Sequence, residues 1–273
     1  MLIMLCHNNV LLVILAAALV AVRCMANKSL KVTAKSTYRH DEECFTQGLL
    51  LQDNILFESC GLHGKSSLRT VNYQTGEVLK RQRLDGKYFA EGIALVQDKI
   101  YMLTWKNKNM LVFDAKTLKQ IADISYQTHT GEGWGLTYDG QHLIASDGSS
   151  RLTFFEVPTP ESTALVKVKH VDVRSAETSR LIKHINELQY VNGFIYANIW
   201  YKDFIIKIDS STVLVVQMYD LTDLYPHKTR SPRADCLNGI AYNAVENSFL
   251  ITGKQWPLYY SVNFSAAVNS KDL

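Results

Sequence analysis

Five times between Phe45 and Ile240 the chain restarts one short phrase, a polar or aromatic cluster running into a small-apolar pair that opens a strand. The copies are Phe45-Thr46-Gln47-Gly48-Leu49, Phe89-Ala90-Glu91-Gly92-Ile93, Gly133-Trp134-Gly135-Leu136, Ile185-Asn186-Glu187-Leu188 and Leu237-Asn238-Gly239-Ile240. Aligned on Gly48, Gly92, Gly135, Leu188 and Gly239, they lie 44, 43, 53 and 51 residues apart. That spacing is at or just beyond the range in which a repeat marks one supersecondary unit of a closed or stacked array. Short apolar runs broken by turns follow each restart; the first unit reads Leu49-Leu50-Leu51, a Gln52-Asp53-Asn54 turn, Ile55-Leu56-Phe57, Leu68-Arg69-Thr70-Val71 and Val78-Leu79. Runs this short, rich in β-branched and aromatic residues and without helical period, predict an all-β chain. Five such units predict a five-bladed β-propeller, in which radial repetition leaves only short, protected sheet edges.

The fifth unit is one strand short, because only a polar tail follows Tyr259-Tyr260-Ser261-Val262, while residues 30 to 38 supply a spare alternating strand before the first restart. The N-terminal strand is therefore expected to complete the last blade and close the ring. A hydrophobic fraction of 47% over 273 residues suffices for a well-buried core, and the repeats leave room for one domain, residues 27–273. A formal charge of +3, spread evenly, argues against a nucleic-acid partner. Lys80-Arg81-Gln82-Arg83, the densest basic run, reads as a solvated outer strand.

Ahead of the domain, Val10 to Val22 carry no charge over 13 residues, too short for a comfortable membrane span and the right length for a signal-peptide core. Met1 to Asn9 hold no Lys or Arg, so residues 1–26 read as a cleaved signal peptide or an uncleaved anchor. Either routes the domain into the secretory pathway, and only the anchor implies a membrane. Cys44 and Cys60 fall at the same end of one blade, where a disulfide can form in an oxidising compartment, leaving Cys236 odd; three free thiols are the alternative. Asn27-Lys28-Ser29 and Asn263-Phe264-Ser265 have the form of glycosylation acceptors.

In a blade the first strand lines the channel and the second returns antiparallel, so the start of one and the end of the other share a rim. Phe45 and Gln47 then face Ser59 and Cys60, Phe89 and Glu91 face Trp105 and Lys106, Trp134 faces Ser146 and Asp147, Asn186 and Glu187 face Trp200, and Asn238 faces Lys254 and Trp256. All four tryptophans are thereby expected at one mouth, with Glu91 and Lys254 among them. An apolar pocket with a few oriented polar groups describes a small-ligand site, whereas blade packing alone gives an acid and a lysine no reason to share it. The eight histidines show no HExxH and no cluster with cysteine, so no metal site and no cofactor are expected. No G-x-S-x-G elbow or glycine-rich phosphate loop occurs, which leaves acid–base catalysis and positioning.

These rim motifs resemble the plant and bacterial glutamine cyclotransferases. The resemblance rests on Phe-Thr-Gln-Gly at 45 to 48, the stretch Gly61 to Arg69, Phe-Ala-Glu-Gly at 89 to 92, Leu-Thr-Trp-Lys at 103 to 106, Gly-Trp-Gly-Leu at 133 to 136 and Ser-Asp-Gly-Ser at 146 to 149. Asn-Glu-Leu at 186 to 188, Ala-Asn-Ile-Trp at 197 to 200, Leu-Asn-Gly-Ile at 237 to 240 and Thr-Gly-Lys-x-Trp-Pro at 252 to 257 continue it. It runs from about residue 38 to 264, in order and in every blade. The chain is expected to act as a monomer, and the resemblance implies a metal-independent enzyme that converts the N-terminal glutamine of a peptide or protein to pyroglutamate with release of ammonia. By motif position it implies Glu91 as the catalytic acid/base, with Phe45, Gln47, Phe89, Trp105, Trp134, Asn186, Trp200 and Lys254 lining the substrate pocket.

Lys254 or the Asn186 amide is expected to stabilise the oxyanion, and Gln47 to hold the amine or the next carbonyl. Gln47 and Asn186 have a plainer reading as ties for strand ends, and Lys254 as a solvated lysine. Glu187, next to Asn186 on a strand, should face away and anchor a neighbouring blade. Residues 158 to 180 read as a lengthened link between blades three and four, and Tyr225 to Arg233 as an irregular loop. Two other functions fit the same ring: a non-catalytic propeller whose aromatic rim binds peptide or sugar, and a metal-dependent hydrolase drawing ligands from Glu91, Asn186 and Asn238.

Overall fold

Each restart opens the innermost strand of a blade. In the computed structural model, which describes residues 29–264, blade one comprises Thr46–Gln52, Ile55–Cys60, Ser67–Asn72 and Glu77–Arg83. Blade two comprises Ala90–Val96, Lys99–Thr104, Asn109–Asp114 and Gln120–Ser125. Blade three is Leu136–Tyr138, His142–Ser146, Arg151–Glu156 and Lys167–Asp172. Blade four is Ile185–Val191, Phe194–Ile199, Phe204–Asp209 and Leu214–Asp220. Blade five supplies Leu237–Asn243, Ser248–Gly253 and Leu258–Val262, and Ala34–Arg39 completes it antiparallel to the last of these. The signal or anchor segment 1–26 and the Asn27 acceptor lie outside the described residues.

Closure by the N-terminal strand holds, with shifted bounds. Leu30–Lys31 pairs parallel with the outer strand of blade four instead, and Val32 drops into the core between blades four and five before Ala34 begins the closing strand. The segment therefore pins two blades. The stretch 158 to 180 is also more than a link, since it holds the outer strand of blade three and Arg174–Ser175, which pairs with blade four. That outer strand is exposed along most of its length, and its alternation, Val166-Lys167-Val168-Lys169, changes phase at His170-Val171, so no single apolar face marks it.

The core is divided among the seams. Five apolar clusters lie one between each pair of adjacent blades: Phe57 and Leu68 against Ile100 and Met102, Leu103 against Leu143 and Phe155, Ile144 and Leu152 against Ile195 and Ile206, Tyr196 and Ile205 against Ile240 and Phe249, Leu250 and Tyr259 against Leu56. Each fully buried Leu or Ile contributes roughly 1.5–3 kcal/mol, and every seam depends on both of its blades.

In four of its five copies the repeated phrase has a structural meaning: it is a β-bulge. Register shifts fall between Thr46 and Gly48, Ala90 and Ile93, Ile185 and Leu188, and Leu237 and Ile240. A bulge releases residues from the ladder and re-aims them; here those residues are Gln47, Glu91, Asn186 with Glu187, and Asn238. The ring is tight at this level, because a Cβ on Gly92 would overlap the backbone of Trp134 to Leu136, and one on Gly135 would overlap Asn186 and Glu187. Polar ties run from blade to blade: Ser59 Oγ to Glu91 O at 2.7 Å, Gly92 N to Trp134 O at 2.6 Å, Ser146 Oγ to Asn186 O at 2.7 Å, Gly239 N to Asn198 Oδ1 at 3.0 Å and Asn238 Nδ2 to Thr46 O at 3.0 Å.

Where the ring closes, between blades five and one, a buried ionic cluster replaces part of the apolar seam. Glu58 accepts from Arg69 at 2.7 and 2.9 Å, Tyr259 at 2.9 Å and Thr46 at 2.7 Å, with His40 Nε2 at 2.9 Å. Cys44 and Cys60 form a disulfide beside it, leaving Cys236 free and buried.

Candidate active site

The bulges and strand ends meet at one rim around a cavity of about 210 Å³. Phe45, Gln47, Phe89, Glu91, Trp105, Trp134, Asn186, Trp200 and Lys254 all line it, so the acid/base and the eight pocket residues implied by the family resemblance are brought together. Tyr201 and Asp235 line it as well. Neither 158 to 180 nor Tyr225 to Arg233 contributes to its wall.

Trp256 departs from expectation. It is fully buried in the seam between blades four and five, its indole N–H donates to Asp235 O at 2.9 Å, and Arg230 covers its ring at 4.7 Å. Gly253 allows this, because a Cβ there would overlap the indole. The mouth therefore holds three tryptophans. Asn238 is likewise buried behind the wall, where its amide donates to the carbonyls of Thr46 and Gln47 and, at 3.4 Å, to Gln47 Oε1.

Glu91 sits at the bottom, 4% exposed. Burial raises its pKa well above the ordinary carboxylate value; the Lys254 charge opposes that shift and Glu132 adds to it. Its Oε1 lies 3.3 Å from Gln47 Nε2. Because Asn238 occupies the Gln47 carbonyl oxygen, the amide nitrogen is the end turned to Glu91. Lys254, also 4% exposed, holds its ammonium 4.9 Å from the centre of the Phe45 ring.

The aromatic wall is braced rather than merely packed. Phe45 meets Phe89 at 6.2 Å, Phe89 meets Trp105 at 5.6 Å, and Trp134 meets Trp200 at 5.5 Å between ring centres. One carboxylate oxygen of Glu132 accepts both the Trp105 and the Trp134 indole N–H, at 2.8 and 2.9 Å. The sequence reading missed Glu132, Tyr201 and Asp235. Their signal is positional: Glu132 and Asp235 each stand two residues before a restart residue, Trp134 and Leu237, and Tyr201 follows Trp200 directly. The Tyr201 hydroxyl donates to Asp235 at 3.3 Å.

Glu187 points away from the pocket. Its carboxylate is fully buried and accepts from Leu49 N at 3.4 Å, so it ties blade four to blade one across the channel. Burial raises its pKa well above the ordinary value, against the pull of the Leu49 and Ile240 N–H groups. His40, Cys44 and Glu58 are close enough to hold a metal ion, but the Cys44 sulfur is in the disulfide and Glu58 is taken by Arg69. That donor set suits an ion pair, not a cation.

A glutamine cyclotransferase family model matches residues 8–264. The chain is 33% identical over 240 residues to a glutaminyl-peptide cyclotransferase of Arabidopsis thaliana, covering 87% of this chain and 72% of that protein. The crystal structure of Myxococcus xanthus glutaminyl cyclase superposes with a TM-score of 0.74 at 32% identity, covering 86% of this chain and 98% of that one.

Proposed function

The chain belongs to the glutamine cyclotransferase family, and from that premise we propose that Glu91 moves the proton in its reaction. The enzyme converts the N-terminal glutamine of a peptide or protein to pyroglutamate and releases ammonia. The α-amine attacks the γ-carboxamide carbon of the same residue, so the substrate has to be bent into a near-attack shape. A wall of Phe45, Phe89, Trp105, Trp134 and Trp200 imposes such a shape and keeps water from the reacting atoms.

A free α-amine has a pKa of roughly 7.7–8.0, so a neutral nucleophile already exists near neutrality. Both nitrogens, attacking and departing, then sit on one tetrahedral carbon, within reach of one carboxyl group. Glu91 as carboxylate accepts the proton of the attacking amine and returns it to the leaving nitrogen, which departs as ammonia. Its raised pKa narrows the gap to those nitrogens, which favours transfer in both directions. Lys254 or Asn186 stabilises the developing oxyanion, and Gln47 keeps Glu91 aimed.

The observation that carries this reading is a buried acid lining an aromatic pocket, within the field of a buried lysine. The Cys44–Cys60 disulfide supports an oxidising, secretory compartment for a domain spanning 27–273 behind a leader, and a monomer is the working form. The test is mass spectrometry of a Gln-initiated peptide incubated with and without chelator. Loss of one ammonia, insensitive to chelator, is expected; an intact peptide, or chelator-dependent turnover, contradicts the proposal.

A further inference from the structure

An enzyme that acts on a terminal residue must leave an open route for the rest of the substrate chain. Trp134 and Trp200, which wall the pocket, also border a wider hollow of about 620 Å³ over Gly148 and Ser149. His129 and Arg151 border that hollow in turn and belong equally to a cleft of about 500 Å³ beside the seam of blades two and three. The three hollows therefore adjoin in that order through shared wall residues, a course that runs from the mouth, over the rim and toward the side of blade three.

Its chemistry changes along the way, from aromatic to small and polar to basic. Arg151, Lys167, His129 and His170 line the last section, and among the described residues no carboxylate does. The acids of the middle section are engaged: Asp147 by Thr130 and Ser149, Glu132 by the two indoles, and Asp172 by Ser150 and, at 3.5 Å, by Arg151.

The placement of Lys167 and His170 depends on a bulge. Side chains three positions apart on a regular strand face opposite ways. In the outer strand of blade three the register slips, with Phe154 opposite Lys169 but Phe155 opposite Lys167, so Val168 is the extra residue. The slip turns Lys167 to the same cleft as His170, while Lys169 lies over the Phe154 ring at 4.6 Å.

We infer that this groove is a subsite for the substrate's downstream segment and that its basic section receives a carboxylate. The inference rests on the cyclotransferase reading and gives its substrate a class: Gln-initiated peptides with an acidic residue, or a free C-terminal carboxylate, beyond the glutamine. An extended peptide advances about 3.3 Å per residue, so one register along the chain brings the carboxylate to Lys167. The charge also draws acidic chains in, an effect that weakens with salt.

The test compares C-terminally amidated Gln-initiated peptides in which a single Glu, or a single Lys, is walked along an otherwise uncharged sequence. At the matching position the Glu peptide should have the higher kcat/KM by about tenfold, mainly through KM and weakening as salt is raised. The preference should vanish or invert in Lys167→Glu and shrink in His170→Ala, each normalised to that variant's turnover of glutamine amide, which is too short to enter the groove. Free-acid peptides of graded length separate a terminal carboxylate from a side chain. No turnover of glutamine amide by the wild type counts against the cyclotransferase reading itself. Normal turnover of it without a charge preference, or with a preference that Lys167→Glu leaves intact, overturns the groove.

Discussion

The side-chain amide of Gln47 donates to Oε1 of Glu91 across 3.3 Å, joining the bulge of blade one to that of blade two. Asn238 of blade five fixes the amide's orientation from behind, so the acid is aimed by a chain of groups spanning three blades. A donor to a carboxylate favours its ionised form. Gln47→Leu should therefore raise the Glu91 pKa further and lower kcat/KM by about tenfold near neutrality. The check is a pH profile; an unshifted acidic limb with normal turnover counts against the assignment.

The charges around Glu91 predict two opposite shifts. Its folded pKa is raised, so the proton-accepting form is lost as pH falls through a value above the ordinary 4.3 or so of a glutamate. Lys254 lowers that value and Glu132 raises it. The acidic limb of kcat/KM should move to higher pH in Lys254→Met and to lower pH in Glu132→Gln. Glu132→Gln should also raise KM by disturbing the bonds to both indoles. Limbs that move together contradict this electrostatic account.

Glu187 gives a prediction in stability rather than rate. Its folded pKa is raised, so the native state holds a proton that the unfolded chain releases above about pH 4.3. The stability tied to that proton is present below this value and lost as pH rises toward the folded pKa, by about 1.4 kcal/mol per pH unit. Glu187→Gln has no proton to lose. The Tm of the variant relative to wild type should rise with pH in that window, and parallel melting curves count against the buried-acid description.

Much of this was legible in the sequence because one phrase restarts five times and folds into a bulge in four of its copies. Gly48, Gly92 and Gly135 mark where inner strands crowd the channel, and the residues beside them point inward, so pairing strand starts with strand ends assembled nine pocket residues. The same rule misplaced Trp256, whose ring folds back over Gly253 into a seam, a choice made by packing against Tyr225 and Arg230 rather than by strand position. Glu132 and Asp235 were missed because they precede the strands, where no alternation fixes a direction. The outer strand of blade three, charged and exposed, alternates from Val166 to Lys169 but changes phase at His170, next to its bulge, so it read as part of a link although it supplies Lys167 and His170.

The closing seam should be fragile to loss of one partner. Burial alone would raise the pKa of Glu58, but Arg69 and His40 beside it hold it well below the ordinary value. Its contribution is present above about pH 4.3 and lost as pH falls toward the folded value. Arg69→Met leaves the buried Glu58 without its guanidinium, held only by His40, Thr46 and Tyr259, and should cost about 3–5 kcal/mol near neutrality. Protonation of Glu58 should narrow that gap on acidification. Denaturant melts at two pH values test it, and a gap independent of pH contradicts the ion-pair account.

The central claim is that Glu91 carries the proton between the two nitrogens. The decisive measurement is kcat for cyclisation of a Gln-initiated peptide by Glu91→Gln, with an unchanged melt as the folding control. Loss of a proton-transfer group predicts a fall of roughly 10²–10⁴-fold with KM little altered, and near-normal turnover by the folded variant contradicts the claim.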